Sequence, residues 1–258
     1  MVARRYPPDV RSGTETVFKN LYEQARRRHE VQLVVGFKHG RNLVPPEAVA
    51  VDLRAANTGE AWRKLWWAAL RAERKFEPDV VLANSIEVPT AGAPAVCIVH
   101  DLNFGVANRS WRTRARELFY SAKSRRLRKV VTVSRASAQR LQQVGVAPDK
   151  VEVIHNGVDL ETFRPVPRKP SDPPDLVRFA YPSRILPGKG QHLAIDAVAR
   201  LPKRYKRRAH LTVVGAVDDP VFLDQIKVQA WASPWTSTPT CRASRPTTRT
   251  PTSSCTRP

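Results

Sequence analysis

The sequence predicts an α/β fold of two doubly wound parallel sheets, the second of them incomplete. Short apolar runs alternate with helix-period patterns from residue 14 onward, which is typical of repeated βα units. A proline-rich stretch interrupts this alternation, and the pattern resumes after it. A length of 258 residues is enough for two small domains. We therefore predict two domains joined by a linker.

The first domain is predicted to span residues 1–160. Its opening helix has apolar residues at one-turn spacing, and Ser12-Gly13-Thr14-Glu15 ahead of them is a capping-box pattern. A second helix is predicted over Glu60–Lys75 by the same spacing. The apolar runs predict strands at Val31–Val35, Ala48–Leu53, Val80–Leu82, Ala95–Val99, Val130–Val133 and Val151–Ile154.

Five prolines lie between Arg164 and Asp175, so we predict a linker over residues 161–175. A second domain is predicted over residues 176–230, where the βα pattern begins again. Its elements are expected to be, in order, strand Val177–Tyr181, loop Pro182–Gly190, helix Gln191–Leu201, strand Leu211–Val214 and a helix from about Asp219.

The composition changes abruptly after Ala230. The last 28 residues hold 8 Thr, 5 Ser, 5 Pro and 4 Arg, and no Asp or Glu follows Asp224. We predict that residues 231–258 are a disordered tail, produced by a change of reading frame near Trp231. Shifting the frame by one base turns Trp231-Ala232 into a glycine codon and Trp235-Thr236 into an aspartate codon, whatever the wobble bases are.

The composition excludes several classes of protein. A hydrophobic share of 41% argues against global disorder, and no run reaches the roughly 18 apolar residues of a membrane-spanning helix. The three cysteines are odd in number and lack CxxC spacing, which disfavours a disulfide scaffold and a zinc site. Met1–Arg5 is basic, but no apolar stretch follows it, so we predict no signal peptide. A cytoplasmic protein is expected.

The net charge of +21 is unevenly spread. Between Arg109 and Lys129, nine Lys or Arg accompany one acid, Glu117, and interleaved aromatic residues. A basic amphipathic helix is typical of contact with an anionic membrane surface or an anionic acceptor. We therefore predict a peripheral membrane contact, with a solvated arginine-rich face as the alternative. Nucleic acid is not expected as a partner, because no zinc-finger, RNP or KH signature accompanies the charge.

Ligands of a doubly wound sheet bind outside the carboxyl ends of its strands. We expect the junctions there to face one crevice, and they supply the candidate residues Ser12, Gly13, His100, Ser134, Asn156, Gly157, Arg184, Lys189 and Gly190. The Ser12-Gly13 turn precedes a helix, whose N-terminal N–H groups can hold a phosphate, although most such turns are only caps. No GxGxxG motif is present, which disfavours a dinucleotide oxidoreductase.

Two further chemistries are expected from these junctions. Pro187–Gly190 fails the GxxxxGK[ST] phosphate-loop pattern, but Arg184 with Lys189 offers a guanidinium fork and a point charge for a diphosphate. His100 is expected to be buried beside the Asp101 carboxylate, which would orient it and raise its pKa; a structural histidine is the alternative. The other histidines show no metal-ligand spacing.

Taken together, several segments resemble family 4 glycosyltransferases, which have the GT-B fold of two Rossmann-like domains. The matching segments are Tyr6-Pro7-Pro8 with Ser12-Gly13-Thr14-Glu15, Val99-His100-Asp101-Leu102, Val131-Thr132-Val133-Ser134, Val144-Gly145-Val146, Val153-Ile154-His155-Asn156-Gly157-Val158-Asp159 with Phe163-Arg164-Pro165, and Ser183-Arg184-Ile185-Leu186 with Lys189-Gly190. The resemblance extends from Arg4 to about Ala230.

The resemblance implies transfer of a sugar from a nucleotide-diphosphate sugar to a saccharide or lipid-linked acceptor, with retention at the anomeric carbon. It implies that Gly13 approaches the donor phosphate, that His100 contacts the donor sugar, and that Arg184 and Lys189 neutralise the leaving diphosphate. The strand-end junctions supply the further donor-binding candidates Ser12, Ser134, Asn156, Gly157 and Gly190. Neither a metal nor a cofactor beyond the donor substrate is expected.

The chain departs from the family pattern in three places. Ser12 replaces the first family glycine, His155 replaces a usual proline, and the two donor-binding glutamates seven residues apart in the second domain are missing. We therefore expect impaired activity from this chain. Two other functions remain open: a non-catalytic remnant or binding module that keeps only the acceptor-side domain, and a basic membrane-associated protein.

Overall fold

The computed structural model describes residues 1–9, 12–88, 90, 92–102, 110–165, 175–232, 240–242 and 254–255. The chain divides into two compact units, Met1–Phe163 and Arg164–Pro258. Residues 166–174 of the predicted linker and Arg109 of the basic stretch lie outside the described residues.

The first unit is built on a seven-stranded parallel sheet. Its strands are β1 Val2–Ala3, β2 Val34–Phe37, β3 Val49–Asp52, β4 Val81–Ala83, β5 Ala95–Val99, β6 Lys129–Thr132 and β7 Val151–Val153, and its helices are α1 Gly13–Ala25, α2 Thr58–Phe76, α3 Trp111–Ser124 and α4 Arg135–Gln143. The strand order is β3-β2-β1-β4-β5-β6-β7. This order reverses between β1 and β4, as a doubly wound sheet requires.

The α2 helix shows how local sequence sets the bounds of these elements. The Asn57 side chain caps it by accepting a hydrogen bond from the Glu60 N–H at 2.9 Å. This cap starts the helix two residues before the predicted Glu60. Ala61, Leu65 and Ala69 are buried at four-residue spacing and hold the helix on the sheet.

Two apolar clusters cover the two faces of the first sheet. Neighbouring residues of β2 enter different clusters, because side chains alternate along a strand: Val34 packs in the cluster of Leu65, and Val35 packs in that of Phe18. Cys97 belongs to the first cluster and is fully buried, as predicted, and burial raises the pKa of its thiol. The helices α1 and α2 thus pack on opposite sides of the sheet.

The second unit carries a smaller sheet of order β11-β10-β9-β8. Its elements are β8 Val177–Pro182, α5 Gln191–Ala199, α6 Lys203–Lys206, β9 Ala209–Val214, α7 Pro220–Ala232, β10 Thr240–Arg242 and β11 Ser254–Cys255. The strands β8 and β9 pair along six residues, and Ile195 and Phe222 pack beside β9. The predicted α/β fold with a less complete second sheet is confirmed. The predicted disorder of residues 231–258 stays a prediction, since most of that tail lies outside the described residues.

Among the residues that the structure describes, no helix is both long and apolar enough to cross a bilayer.

Candidate functional site

Three segments of the first unit meet at the switch point of the sheet. The chain leaves the neighbouring strands β1 and β4 in opposite directions, which opens a crevice at their carboxyl ends. Ser12 lies between β1 and α1, Asn84 follows β4, and His100 follows β5. The Asn84 N–H donates to the Val2 carbonyl at 3.0 Å, which ties two of these segments together.

The His100 imidazole is half-buried in this crevice and lies against Asn84. Its Nε2 is 3.2 Å from the Asn84 Oδ1. Because that oxygen only accepts, the neutral ring carries its proton on Nε2 and leaves Nδ1 as an acceptor. Burial lowers the pKa of His100, and the charge of Glu15 offsets part of that shift. The ring is therefore predominantly neutral at pH 7.

The prediction that Asp101 orients His100 and raises its pKa is wrong. The Asp101 side chain is exposed, whereas the polar neighbour of the His100 ring is the Asn84 amide. An amide has no charge with which to stabilise the imidazolium, so desolvation determines the direction of the pKa shift.

The N-terminus of α1 forms another side of the crevice. Ser12 is its N-cap residue, as predicted, with an extended backbone at φ −150° and ψ 171°. The predicted capping interaction is wrong, however: the Ser12 hydroxyl accepts no backbone N–H and instead donates to the buried Glu15 carboxylate. The first hydrogen bond within the helix runs from the Thr16 N–H to the Ser12 carbonyl at 3.0 Å. The preceding N–H groups therefore have no carbonyl partner within the helix.

Gly13 leaves open space at this end of the helix. A Cβ built on Gly13 meets no atom within 4 Å, so free space lies beside the first turn of α1. The N–H groups and the positive end of the helix dipole favour an anion at such a position. This turn follows β1 and the imidazole follows β5, so both lie at the carboxyl edge of the same parallel sheet.

The other predicted residues of the first unit lie at the ends of β6 and β7. Ser134 caps α4, where its Oγ accepts from the Ser137 N–H at 3.1 Å. Asn156 and Gly157 are exposed, and a Cβ on Gly157 meets nothing within 4 Å. Ser134 thus has a structural partner, whereas Asn156 and Gly157 leave open surface. Ligand contacts of all three stay predictions.

In the second unit, the predicted residues lie in the loop between β8 and α5. The Arg184 Nη1 lies 2.6 Å from the Asp218 Oδ2, and both side chains are more than one-third exposed. Lys189 ends a 3-10 turn, Pro187–Lys189, with its side chain exposed. Gly190 follows with φ 78°, in the left-handed region that favours glycine. Two cations are thus displayed on one glycine-ended loop.

Gly215 and Asp218 support this loop and were missed by sequence reasoning. A Cβ on Gly215 would lie 1.8 Å from the Ser183 carbonyl oxygen, so glycine is needed where the two loops approach. Fully buried Ile185 pairs with Val217 in the same region. The sequence did contain a signal for both residues. They follow the strand predicted beside the one that precedes Arg184, and residues that follow adjacent parallel strands lie at the same edge of a sheet.

Asn84 was missed for a similar reason. It belongs to no motif, but it directly follows β4, the neighbour of β1 across the switch point. The sequence identified Glu15 only as part of the capping box. In the structure its negative charge also acts on His100 and raises the pKa of the imidazole, which partly offsets the effect of burial.

The sequence from residue 11 to residue 162 matches the family model of Glycosyltransferase Family 4, which covers more than half of the chain. The chain belongs to glycosyltransferase family 4. The predicted family is thereby confirmed. No curated protein matches the sequence of this family 4 glycosyltransferase.

Solved structures similar to this family 4 glycosyltransferase share its two-sheet GT-B fold. Alr3699/HepE of Anabaena, in complex with UDP and glucose, aligns with a TM-score of 0.65 and 18% identity over 95% of this chain and 68% of its own. A glycosyltransferase from Rickettsia africae aligns at 0.63 and 19% identity, over 95% and 67%. WaaG, a glycosyltransferase involved in lipopolysaccharide biosynthesis, aligns at 0.63 and 15% identity, over 92% and 69%. The predicted GT-B fold is confirmed.

Within the described ranges, no three His, Cys, Asp or Glu side chains are grouped so that they could hold a metal ion. The expectation of a metal-free reaction and the ligand roles of the individual site residues stay predictions.

Proposed function

We propose that this family 4 glycosyltransferase transfers a sugar from a nucleotide-diphosphate sugar to a saccharide or lipid-linked acceptor, with retention at the anomeric carbon. One observation carries the proposal: in a domain that matches the family 4 model, an open helix N-terminus at Gly13 and the half-buried His100 imidazole both follow strands at the carboxyl edge of the sheet. HepE has been solved with UDP and with UDP-glucose, so uridine diphosphate sugars are the first donors to test.

The Gly13 end of α1 is proposed to receive the donor phosphate. Helix N–H groups and the helix dipole stabilise an anion without a metal ion, and the space beside Gly13 allows a phosphate to approach the backbone. Ser12 is held back from this space by its bond to Glu15.

His100 is proposed to contact the donor sugar. With Nε2 engaged by Asn84, its Nδ1 can accept a hydrogen bond from a sugar hydroxyl. A neutral ring suits that role better than an imidazolium, which has no acceptor. The lowered pKa of His100 therefore favours the binding form at neutral pH.

Arg184 and Lys189 are proposed to neutralise the diphosphate as it leaves. Negative charge grows on that group while the glycosyl bond breaks, so fixed cations stabilise the transition state more than the ground state. The exposed pair of Arg184 with Asp218 contributes about 0–1 kcal/mol, less than a charge-assisted bond to a diphosphate. A donor can therefore displace Asp218 from the guanidinium.

We propose that the protein works in the cytoplasm as a peripheral protein of an anionic membrane surface. The basic stretch from Arg109 to Lys129 supports this location, since basic amphipathic segments bind anionic lipid. Nucleic acid is not proposed as a partner.

We also propose that the chain as printed transfers sugar slowly. The stretch after Asp224 holds no Asp or Glu, so no residue of that stretch can supply the carboxylates that the family pattern places on the donor in the second domain. Sequencing the coding DNA around Trp231 tests whether a change of frame replaced them.

The function is tested on the full chain with UDP-glucose and UDP. A ligand that binds only the native state raises its melting temperature, and saturation at about 100 times Kd adds about 2.7 kcal/mol. We expect a rise with both ligands and UDP release well below about 1 per second. A folded chain whose melting temperature responds to no nucleotide sugar, but does respond to acceptor saccharides, would be a binding module instead.

A further inference from the structure

The helix α3 presents its bulky apolar residues away from the core. Trp111 and Leu118 are 75% and 71% exposed, and Ala115 and Ala122 lie on the same helix face because the four are spaced by four, three and four residues. The buried side of the helix carries Tyr120 instead. This orientation is the reverse of an ordinary surface helix, whose apolar stripe faces inward.

A groove between α2 and α3 continues this apolar surface. It is lined by Trp62 and Trp66 of α2 and by Phe119 and Ala122 of α3. Trp66 is 40% exposed, and its ring meets that of Trp67, itself 49% exposed, with 4.7 Å between centroids. We call the outward side of α3 and this groove the α2–α3 face. It gathers several exposed aromatic side chains into one patch, which is typical of a surface that binds a protein or a membrane.

The rim of the α2–α3 face is positively charged. Arg63, Arg114, Arg125 and Arg126 are exposed along it, and Arg63 and Arg126 line the groove itself. The carboxylates on the same side are in ion pairs: Glu87 lies 2.7 Å from Arg116, and Glu117 lies 3.9 Å from Arg140. The described part of this face therefore carries a net positive charge beside exposed tryptophan and leucine.

We propose that the α2–α3 face docks on a bilayer that contains anionic phospholipid, with Trp111 and Leu118 entering the interfacial layer and the arginines contacting lipid phosphates. Transfer of tryptophan and leucine side chains from water to the interfacial layer lowers the free energy. Arginine side chains can place the guanidinium among the headgroups while their aliphatic parts stay in the apolar layer. Charge complementarity selects an anionic bilayer over a neutral one. This inference deepens the proposed peripheral location and does not depend on sugar transfer.

The inference is tested by co-sedimentation of the full chain with vesicles of phosphatidylcholine alone or with about 30% phosphatidylglycerol, a composition that gives a negative surface potential. Neither nucleotide sugar nor acceptor is present, so a failure of the proposed enzymatic function leaves the result intact. We expect binding to the anionic vesicles only, with release as salt rises towards about 0.5 M, where exposed charges are screened.

Matched variants locate the surface. Arg125→Gln with Arg126→Gln should weaken vesicle binding roughly tenfold or more, since each basic residue near the surface adds to the attraction. The control pair, Arg27→Gln with Arg28→Gln, removes the same charge beyond the end of α1, which packs on the other side of the sheet, and should have little effect.

Leu118→Ala should likewise weaken vesicle binding, whereas Leu160→Ala should not, although the two leucines are 71% and 72% exposed. Neither change should alter the melting temperature, because both side chains are outside the core. Equal binding to neutral and anionic vesicles, or equal effects of the two arginine pairs, would overturn the proposal. So would dimers in sedimentation velocity without vesicles that Leu118→Ala abolishes, because a second copy of the chain would then cover the face.

Discussion

The imidazole of His100 and the amide of Asn84 form a polar pair across two neighbouring strand ends, with 3.2 Å between Nε2 and Oδ1. The pair joins residues sixteen positions apart in sequence. The hydrogen bond holds the ring in place. Because the amide carries no charge, desolvation determines the direction of the shift, and the pKa of His100 is lowered.

Asn84→Asp should raise the pKa of His100 by about one unit or more, because a carboxylate beside the ring stabilises the imidazolium. The pKa is read from the ring proton resonances in an NMR titration, assigned with His100→Gln. Asn57→Asp is the matched control, since it makes the same change at the cap of α2. A pKa of His100 that does not move in Asn84→Asp would contradict the observed pairing.

The lowered pKa of His100 also predicts how stability depends on pH. Between that lowered pKa and the unfolded value of about 6.5, the unfolded chain binds more protons than the native chain. The free energy of unfolding therefore falls as the pH drops through about 6.5. His100→Gln should reduce this fall, as measured by urea unfolding between about pH 7 and pH 5. Parallel curves for the variant and the wild type would show that His100 does not contribute.

Gly13→Ala should separate folding from donor binding. The added Cβ meets no protein atom within 4 Å, and alanine is the better helix former, so the melting temperature should be equal or higher. The rise in melting temperature caused by UDP-glucose should be lost, because the methyl group occupies the space proposed for the phosphate.

Gly59→Ala is the control for this change. Gly59 lies in the first turn of α2, where the nearest atom to an added Cβ is the Asn57 Oδ1 at 3.6 Å. This variant should keep the response to UDP-glucose. If both variants keep it, the donor phosphate binds elsewhere.

Arg184→Ala should lower the rate of sugar transfer by about 30- to 1000-fold, which corresponds to roughly 2–4 kcal/mol of transition-state stabilisation. Arg184→Lys should restore only part of it, since an ammonium group cannot form the bidentate fork. The measurement is kcat/KM for a nucleotide sugar in a chain whose reading frame is restored near Trp231.

Asp218→Asn distinguishes the two partners of Arg184. It removes an exposed ion pair, so it should change the free energy of unfolding by less than about 1 kcal/mol. It should also lower the rate of sugar transfer much less than Arg184→Ala does. An unchanged rate in Arg184→Ala would remove this residue from the mechanism.

Gly215→Ala should destabilise the second unit by about 1–3 kcal/mol or more, because the new Cβ would lie 1.8 Å from the Ser183 carbonyl oxygen. It should also displace the loop that carries Arg184. Gly188→Ala is the control, since the nearest atom there is a leucine methyl carbon at 3.8 Å. Both are compared by urea unfolding, and equal midpoints would contradict the close approach of the two loops.

Much of the fold could be predicted from local patterns. The strand Ala95–Val99 has the predicted bounds, because a short apolar run between Pro94 and His100 is typical of a buried strand of a parallel sheet. The alternation of strands and helices predicted the doubly wound class. Because ligands of such a sheet bind at the carboxyl ends of its strands, the sequence also predicted Ser12, Gly13 and His100 as site residues. Such features depend on residues close together in the chain, so they can be seen in the sequence.

The tertiary structure decided which distant groups meet. Asn84 rather than Asp101 became the partner of His100, and Glu15 rather than the backbone became the partner of the Ser12 hydroxyl. Both outcomes depend on how the strand ends and the first turn of α1 approach one another. Spacing along the chain carries no information about that approach.

The sequence and the tertiary structure also determine different properties of α3. By itself, the sequence determined that the stretch is amphipathic and basic, because both properties follow from residue type and helical period. Only the tertiary structure decided that the face with Leu118 points outward while Tyr120 packs into the core. The physical reason is that a helix with apolar residues on more than one face can pack by either, and the neighbouring strands and α2 determine which one is buried.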